Sequence, residues 1–114
     1  MKLERGDLVL TDLDPVKGSE QGNTRPTAVI QNDVGNEYSP TTIVAPLTSS
    51  YETVYPVNVE VESGEGNLDR DSIILLNQIT TVDIEERILK RIGTLEDETM
   101  DRVDEAIEIS LGLD

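Results

Sequence analysis

Apolar residues in this chain arrive in short bursts. The runs in RGDLVLTDL (5–13), TAVIQ (27–31), TTIVAPLT (41–48), VYPVNVEVE (54–62) and SIILL (72–76) are all set off by Gly, Pro, Asn, Asp or Ser. Bursts this short, rich in Val, Ile and Thr, fit strands and fall short of a buried helix. In the fourth, Val57, Val59 and Val61 alternate with Asn58, Glu60 and Glu62, the period of a half-exposed strand. DSIILLNQITTVD (71–83) is too long and too β-branched for a helix and reads as one bent strand or two in succession. After a helical turn at IEER (84–87), ILKRIGTL (88–95) reads as a last strand, while NDVGNEYSP (32–40) and GEGN (64–67) read as polar connections.

Helical period appears only at the end, where Met100, Val103, Ile107 and Leu111 share one face. Thr94 is the expected N-cap, Glu96, Asp97 and Glu98 suit the positive end of the helix dipole, and Gly112 is placed to close the helix. Short strands, one long early loop and one amphipathic helix predict a mainly β (α+β) fold, a small barrel with a packed helix. The 114 residues make a single domain, 1–114.

Composition narrows both the core and the chemistry. There is no Phe or Trp, and the aromatics are Tyr38, Tyr51 and Tyr55, so Val, Ile and Leu must fill the interior. With no Cys, disulfides, thiolate catalysis and sulfur-ligated zinc are excluded; with no His, the commonest general base and metal ligand is missing. The acidic pairs Asp12/Asp14 and Asp69/Asp71 invite a metal reading, but both sit in turn-like sequence without further clustered ligands and read as solvated turn residues. No metal site and no cofactor are expected. The apolar runs are far too short to span a bilayer, and residues 1–10 lack a signal peptide's basic start and apolar stretch, so the expectation is a soluble, cytoplasmic chain without membrane contact.

The formal charge of -15 is spread along the chain and not gathered into a tail. Such self-repulsion strains a compact domain in dilute buffer, but at 1 M salt the Debye length shrinks to about 3 Å. A halophilic source is the favoured reading, with an ordinary acidic protein as the alternative.

Against this acidic background the loop GSEQGNTRPT (18–27) carries a single arginine stopped by a proline. Taken alone, Arg25 reads as a surface arginine paired with a carboxylate, and Thr48 as a strand-end hydroxyl. Gln21, Asn77 and Gln78 read either as amides that recognise base edges or as partners for loop backbone.

The stretch RGDLVLTDLDPVKGSEQGNTRPTAVIQNDVGNEYSPTTIVAPLTS (5–49) resembles the opening of the MazF/PemK-type toxins of bacterial and archaeal toxin-antitoxin pairs. DRDSIILLNQITTVD (69–83) and TLEDETMDRVDEAIEISLGL (94–113) resemble the family's central strands and terminal helix. The resemblance implies an SH3-like barrel with an extended antiparallel sheet and a C-terminal amphipathic helix, assembled as a symmetric homodimer. It implies a metal-independent endoribonuclease cutting single-stranded RNA at short sequences, blocked by a small cognate antitoxin with which such toxins bind DNA. The residues implied to be catalytic are Arg25, Thr48 and Glu20. Ser19, Gln21, Ser49, Tyr51, Tyr55, Asn77 and Gln78 are the candidate RNA contacts. Two other readings keep the same barrel: a non-enzymatic toxin like the gyrase poisons, and a homologue that binds antitoxin without cleaving.

Metal-free RNA cleavage uses the neighbouring 2'-OH as nucleophile, so the protein must assist deprotonation, stabilise the phosphorane charge and help the 5'-oxygen leave. Arginine suits the second task, because its planar fork matches phosphate oxygens and stays charged. Glu20 is the only carboxylate within GSEQGNTRPT and the nearest candidate base for the 2'-OH, and glycines 18 and 22 are read as giving RNA close access to the loop backbone. This chain also departs from the family pattern. The loop after Thr48 is SSYETVY, Thr80 stands where a basic residue is common, and Asn58 stands where a histidine is often found. High salt removes repulsion from RNA but also suppresses counterion release, which leaves binding to short-range contacts such as stacking on Tyr51 and Tyr55. The charge generates one direct expectation: the thermal midpoint climbs steeply from about 0.1 M to about 1 M NaCl as screening sets in. A midpoint that stays flat or falls across that range rules out a surface adapted to salt.

Overall fold

The computed structural model of the protein describes residues 1–114. Seven strands form one antiparallel sheet: β1 (Asp7–Asp12), β2 (Thr24–Val29), β3 (Thr41–Thr48), β4 (Asn58–Val61), β5 (Ser72–Leu75), β6 (Thr80–Asp83) and β7 (Ile88–Thr94). The order is β4-β5-β3-β2-β1-β7, with β6 paired to β3 off this path. Three helices complete the chain: α1 (Asp33–Tyr38), α2 (Ile84–Arg87) and α3 (Asp97–Leu111). No helix is long and apolar enough to cross a membrane.

β3 organises the sheet. Its first half pairs with β6, Thr41 opposite Asp83 through Val44 opposite Thr80, and its end pairs with β5, Leu47 opposite Ile74 and Thr48 opposite Ile73. Pro46 lies in the interval where the ladder changes partner, a position that tolerates a residue without an N–H. The segment 71–83 is therefore two strands, β5 and β6, joined by a turn.

The period of two sorts the apolar residues into two cores. Leu8, Ala28 and Ala45 join Leu47, Val61, Ile74, Leu76 and Val103 on one face. Their chain neighbours Val9, Val29 and Val44 join Leu3, Leu13, Val82 and Ile88 on the other. The middle of the sheet is thus covered on both faces, which is why these strands read as continuous apolar runs without alternation. α3 packs on the first core through Val103 and Ala106, flanked by half-buried Met100 and Ile107.

Several sequence expectations are corrected. β2 begins at Thr24, so Arg25 and Pro26 lie within a strand, opposite Thr11 and Leu10, and not in the preceding loop. The fourth burst is a strand only over Asn58–Val61; Val54 and Tyr55 are exposed in the loop before it. The connection 32–40 contains a helix, α1, capped by the Asn32 side chain, which accepts from the Gly35 N–H at 2.8 Å. Buried Asn36 anchors it, accepting from the Thr42 hydroxyl at 2.6 Å and donating to the Gln31 carbonyl at 3.0 Å. Glu96, not Thr94, is the N-cap residue of α3 and makes no side-chain cap bond; Thr94 ends β7 and donates to Asp7 Oδ1 at 3.3 Å. Leu111 is exposed, while Thr99 and Ala106 are additional buried positions on the helix. Gly112 closes α3 as expected, in the left-handed conformation at φ 70°.

The sheet is sealed where β7 meets the short turn Glu65–Asn67. A Cβ at Gly93 would collide with the Gly66 carbonyl group, and that contact is backbone on one side, so neither partner can swing away. Gly93→Ala is therefore expected to destabilise by about 1–3 kcal/mol, seen as a lower urea midpoint with an unchanged slope. A variant as stable as the parent would show that this seam yields freely.

Candidate functional site

Arg25 is the second residue of β2, half-buried, and its guanidinium is gripped by backbone. Nε donates to the Gly22 carbonyl at 2.7 Å and Nη1 to the Leu47 carbonyl at 3.2 Å. No carboxylate pairs with it; the chain's ion pairs are Arg5–Asp104 and Arg91–Asp7. The residue after Leu47 is Thr48, which ends β3. Its hydroxyl oxygen accepts from the Ser50 N–H at 3.2 Å and makes only a long 3.4 Å contact to the Ser50 carbonyl.

Arg25 and Thr48 line one open hollow of about 410 Å³, together with Ser49, Ser50, Asp69 and Arg70. Arg70 is the residue that sequence reasoning passed over, being enclosed by the pair Asp69 and Asp71. The alternation entering β5 parts Arg70 from Asp71: Arg70 and Ser72 line the Arg25 hollow, whereas Ile73 and Leu75 line the neighbouring cleft. Asp71 is occupied by the Ser63 N–H at 2.8 Å. Arg70, like Arg25, has no ion-pair partner. Two arginines without ion-pair partners, Arg25 held by carbonyls and Arg70 exposed, thus line one hollow of an acidic chain, an arrangement suited to an anion.

A cleft of about 670 Å³ adjoins this hollow along Thr48, Ser49 and Ser50. Its lining brings together Gln21, Ser49, Tyr51, Tyr55, Asn77 and Gln78, six of the seven residues expected to contact RNA. Tyr55 is exposed, and the loop before it is fixed by Asn58, whose side chain accepts from the Tyr55 N–H at 3.0 Å. Tyr51 is half-buried, and loss of solvent, followed by the nearby Glu60 and Asp71 carboxylates, raises its phenol above the usual value near 10. The ring therefore stays neutral at any working pH. Gln78 is tied to the early loop, its Oε1 accepting from the Gln21 N–H at 2.8 Å.

Two residues expected at the site stand apart. Ser19 is exposed at the loop tip and lines neither hollow. Glu20 lines a third hollow, of about 620 Å³, which borders the cleft through Gln21, Asn77 and Gln78, and its Oε1 accepts from the Lys17 N–H at 2.6 Å, closing a turn in its own loop. Gly22 is needed for packing within the loop, since a Cβ there would meet Val16 and lie 2.7 Å from Asp14 Oδ1. Gly18 serves conformation, at φ 57°. Asp12 and Asp14 accept backbone N–H bonds from Asp14 and Asn23, at 3.0 and 2.8 Å, as turn residues do. No group of three or more acidic side chains is arranged to hold a metal ion.

Comparison with known proteins places this geometry in a family. The sequence pattern of the PemK-like, MazF-like toxins of type II toxin-antitoxin systems matches residues 4–111. The endoribonuclease EndoA of Bacillus subtilis is 50% identical over 114 residues, covering 99% of this chain and 97% of that protein. Among solved structures, the MazF of Deinococcus radiodurans superposes with a TM-score of 0.86 at 22% identity, covering 98% of each chain. A mycobacterial endoribonuclease in complex with its cognate antitoxin gives 0.81 at 20% identity, over 98% of this chain and 97% of that one. At such identities the superpositions establish the fold, a mostly antiparallel seven-stranded sheet with a C-terminal helix. The match across residues 4–111 and the half-identical relative together establish that this chain belongs to the PemK-like, MazF-like toxins of type II toxin-antitoxin systems.

Proposed function

We propose that the protein is the toxin of such a pair, a metal-independent, sequence-selective endoribonuclease acting on single-stranded RNA in the cytoplasm. The observation that carries this reading is Arg25, clamped by two carbonyls beside Thr48 and unpaired with any carboxylate. A guanidinium has five N–H donors; with one spent on Gly22 and one on Leu47, three remain for phosphate oxygens. The 2'-OH of the nucleotide before the scissile bond attacks phosphorus and the 5'-oxygen leaves, giving a 2',3'-cyclic phosphate and a 5'-hydroxyl. Arg25 holds the negative charge that grows on the phosphorane, a task for fixed donors that need not reorganise during reaction. The Ser50 N–H occupies a lone pair of Thr48 Oγ1, leaving its proton to the phosphate in place of the long contact with the Ser50 carbonyl. Glu20 closes the Lys17 turn through Oε1, and its unbonded Oε2 is the candidate acceptor for the 2'-OH proton.

The adjoining cleft takes the flanking nucleotides, with Tyr51 and Tyr55 as stacking surfaces and Asn77 and Ser49 as polar contacts to bases and sugar. An antitoxin of the pair is the natural protein partner, since a fork that accepts phosphate accepts the carboxylates of an acidic segment equally well. The protein acts as a homodimer, the assembly that its family resemblance implies.

The reading is tested by incubating the protein with a long unstructured RNA, free of metal and across salt concentrations, and mapping the ends. Discrete cuts with 2',3'-cyclic phosphate termini are expected, and Arg25→Ala is expected to lower the rate by roughly a hundred- to a thousandfold. Arg25→Lys should restore little, because an ammonium cannot reproduce the fork. No cleavage at any salt, with growth still arrested on expression, would move the protein to the non-enzymatic class. Tyr51→Ala and Tyr55→Ala are each expected to weaken RNA binding at high salt by about 1–3 kcal/mol, and unchanged affinity would remove the stacking contacts.

A further inference from the structure

The early loop, residues 13–23, is tied down mostly at its ends and within itself. Leu13 donates its N–H to the Asn23 carbonyl at 3.1 Å, Asn23 its N–H to Asp14 Oδ1 at 2.8 Å, and Lys17 its N–H to Glu20 at 2.6 Å. Two side chains from outside reach into it: Arg87, whose Nη1 donates to the Asp14 carbonyl near its start, and Gln78, whose Oε1 accepts the Gln21 N–H at 2.8 Å beside Arg25. The carbonyl of the following residue, Gly22, accepts Arg25 Nε. Two hydrogen bonds joined by the Gln21–Gly22 backbone therefore link the Gln78 amide to the guanidinium.

Gln78 is suited to this by its seat. It sits in the turn between β5 and β6, with its own N–H on the Leu75 carbonyl at 3.0 Å. Two residues earlier, Leu76 is fully buried in the core and donates to the Val57 carbonyl at 3.0 Å, and one residue later Ile79 packs on the same core. A rigid post thus meets a polar loop. Because a backbone N–H can be met only by an acceptor, the amide is fixed with oxygen toward Gln21, and its NH2 makes no hydrogen bond within the chain. The acceptor and donor ends of one side chain are consequently separable by substitution.

We propose that Gln78 is a positioning residue for the cleavage reaction: its amide oxygen latches the loop at Gln21 so that the Gly22 carbonyl holds Arg25 aimed at the scissile phosphate. This rests on the endoribonuclease reading given above and assigns Gln78 a role other than reading a base. A displacement of about 1 Å in a catalytic group costs up to about a hundredfold in rate, so the effect falls on turnover and not on affinity.

The test compares the parent with Gln78→Ala and Gln78→Glu on the same RNA, together with amide exchange measured by NMR on the free proteins. Gln78→Ala is expected to lower kcat by roughly ten- to a hundredfold with KM little changed. It is also expected to accelerate exchange at the Gln21 N–H and to broaden the Arg25 Nε–H resonance. Gln78→Glu keeps the acceptor and loses the NH2 donors, so it should retain most of the parent's kcat and the parent's protection at Gln21. A folded Gln78→Ala protein with unchanged Gln21 exchange overturns the latch, whatever its activity. An unchanged kcat with raised KM or altered cut sites, in Gln78→Ala and Gln78→Glu alike, overturns it in favour of base recognition. If the parent cuts no RNA, the nuclease reading fails, and the exchange measurements alone decide whether Gln78 fixes Arg25.

Discussion

Register across β1, β2 and β3 is the constraint on which the rest of this protein depends. Leu8 and Val9, Ala28 and Val29, and Ala45 and Val44 are adjacent pairs whose members serve opposite cores. A slip of one residue would exchange every pair between faces. Small alanines sit toward the crowded first core and valines toward the second, so the slipped arrangement is also mispacked in volume. The same register sets Arg25 opposite Thr11 and brings the end of β2 against Val44, Ala45 and Pro46. Leu47 and Thr48 follow directly on β3, so the packing that stabilises the fold also brings the guanidinium to the Leu47 carbonyl.

The charge distribution shows what that placement is for. The chain carries 24 acidic and 9 basic residues, so almost any surface cation has carboxylates near it. Arg5 and Arg91 are used that way, with Asp104 and Asp7. Arg102 reaches the Glu60 carbonyl and the Thr99 hydroxyl, and Arg87 reaches the carbonyls of Asp12 and Asp14. Arg25 and Arg70 share a hollow in which Asp69 is the only carboxylate-bearing residue, and Asp69 forms no ion pair. A local positive site inside a negative envelope favours a ligand that approaches under screening and is held at short range.

Much of this was legible in the sequence, and the omissions share a cause. The strands could be read because β-branched runs bounded by breakers carry their own signal, and Gly112 because a left-handed helix end selects glycine. α1 could not be read: its six residues include Gly35 and no apolar stripe, and the helix is held by Asn36 reaching Gln31 and Thr42. β2 was placed late because Thr24, Arg25 and Pro26 look like loop and become strand only through pairing with β1. At the site, Arg25 and Thr48 were found through their resemblance to a family, while the groups that hold Arg25 are the carbonyls of Gly22 and Leu47. A carbonyl is common to every residue, so no sequence motif reveals it. Arg70 was hidden between Asp69 and Asp71, and only the strand's alternation parts it from Asp71.

On the endoribonuclease reading proposed above, the choice of carbonyls to hold Arg25 follows from what the residue must do. A carboxylate would grip a guanidinium more strongly, but it would cancel the charge and occupy the fork that a phosphate needs. Carbonyl dipoles orient the group and leave its full charge available, and they do so without titrating, so the grip is the same at any working pH. In a chain without histidine, fixed charge and fixed geometry are the main means of lowering the barrier. The burden then shifts from the acidity of a side chain to the rigidity of two backbone segments. One, at Leu47, is secured by buried neighbours on β3. The other, at Gly22, lies in a polar loop with little core of its own, which is why a hydrogen bond from outside that loop carries weight out of proportion to its strength.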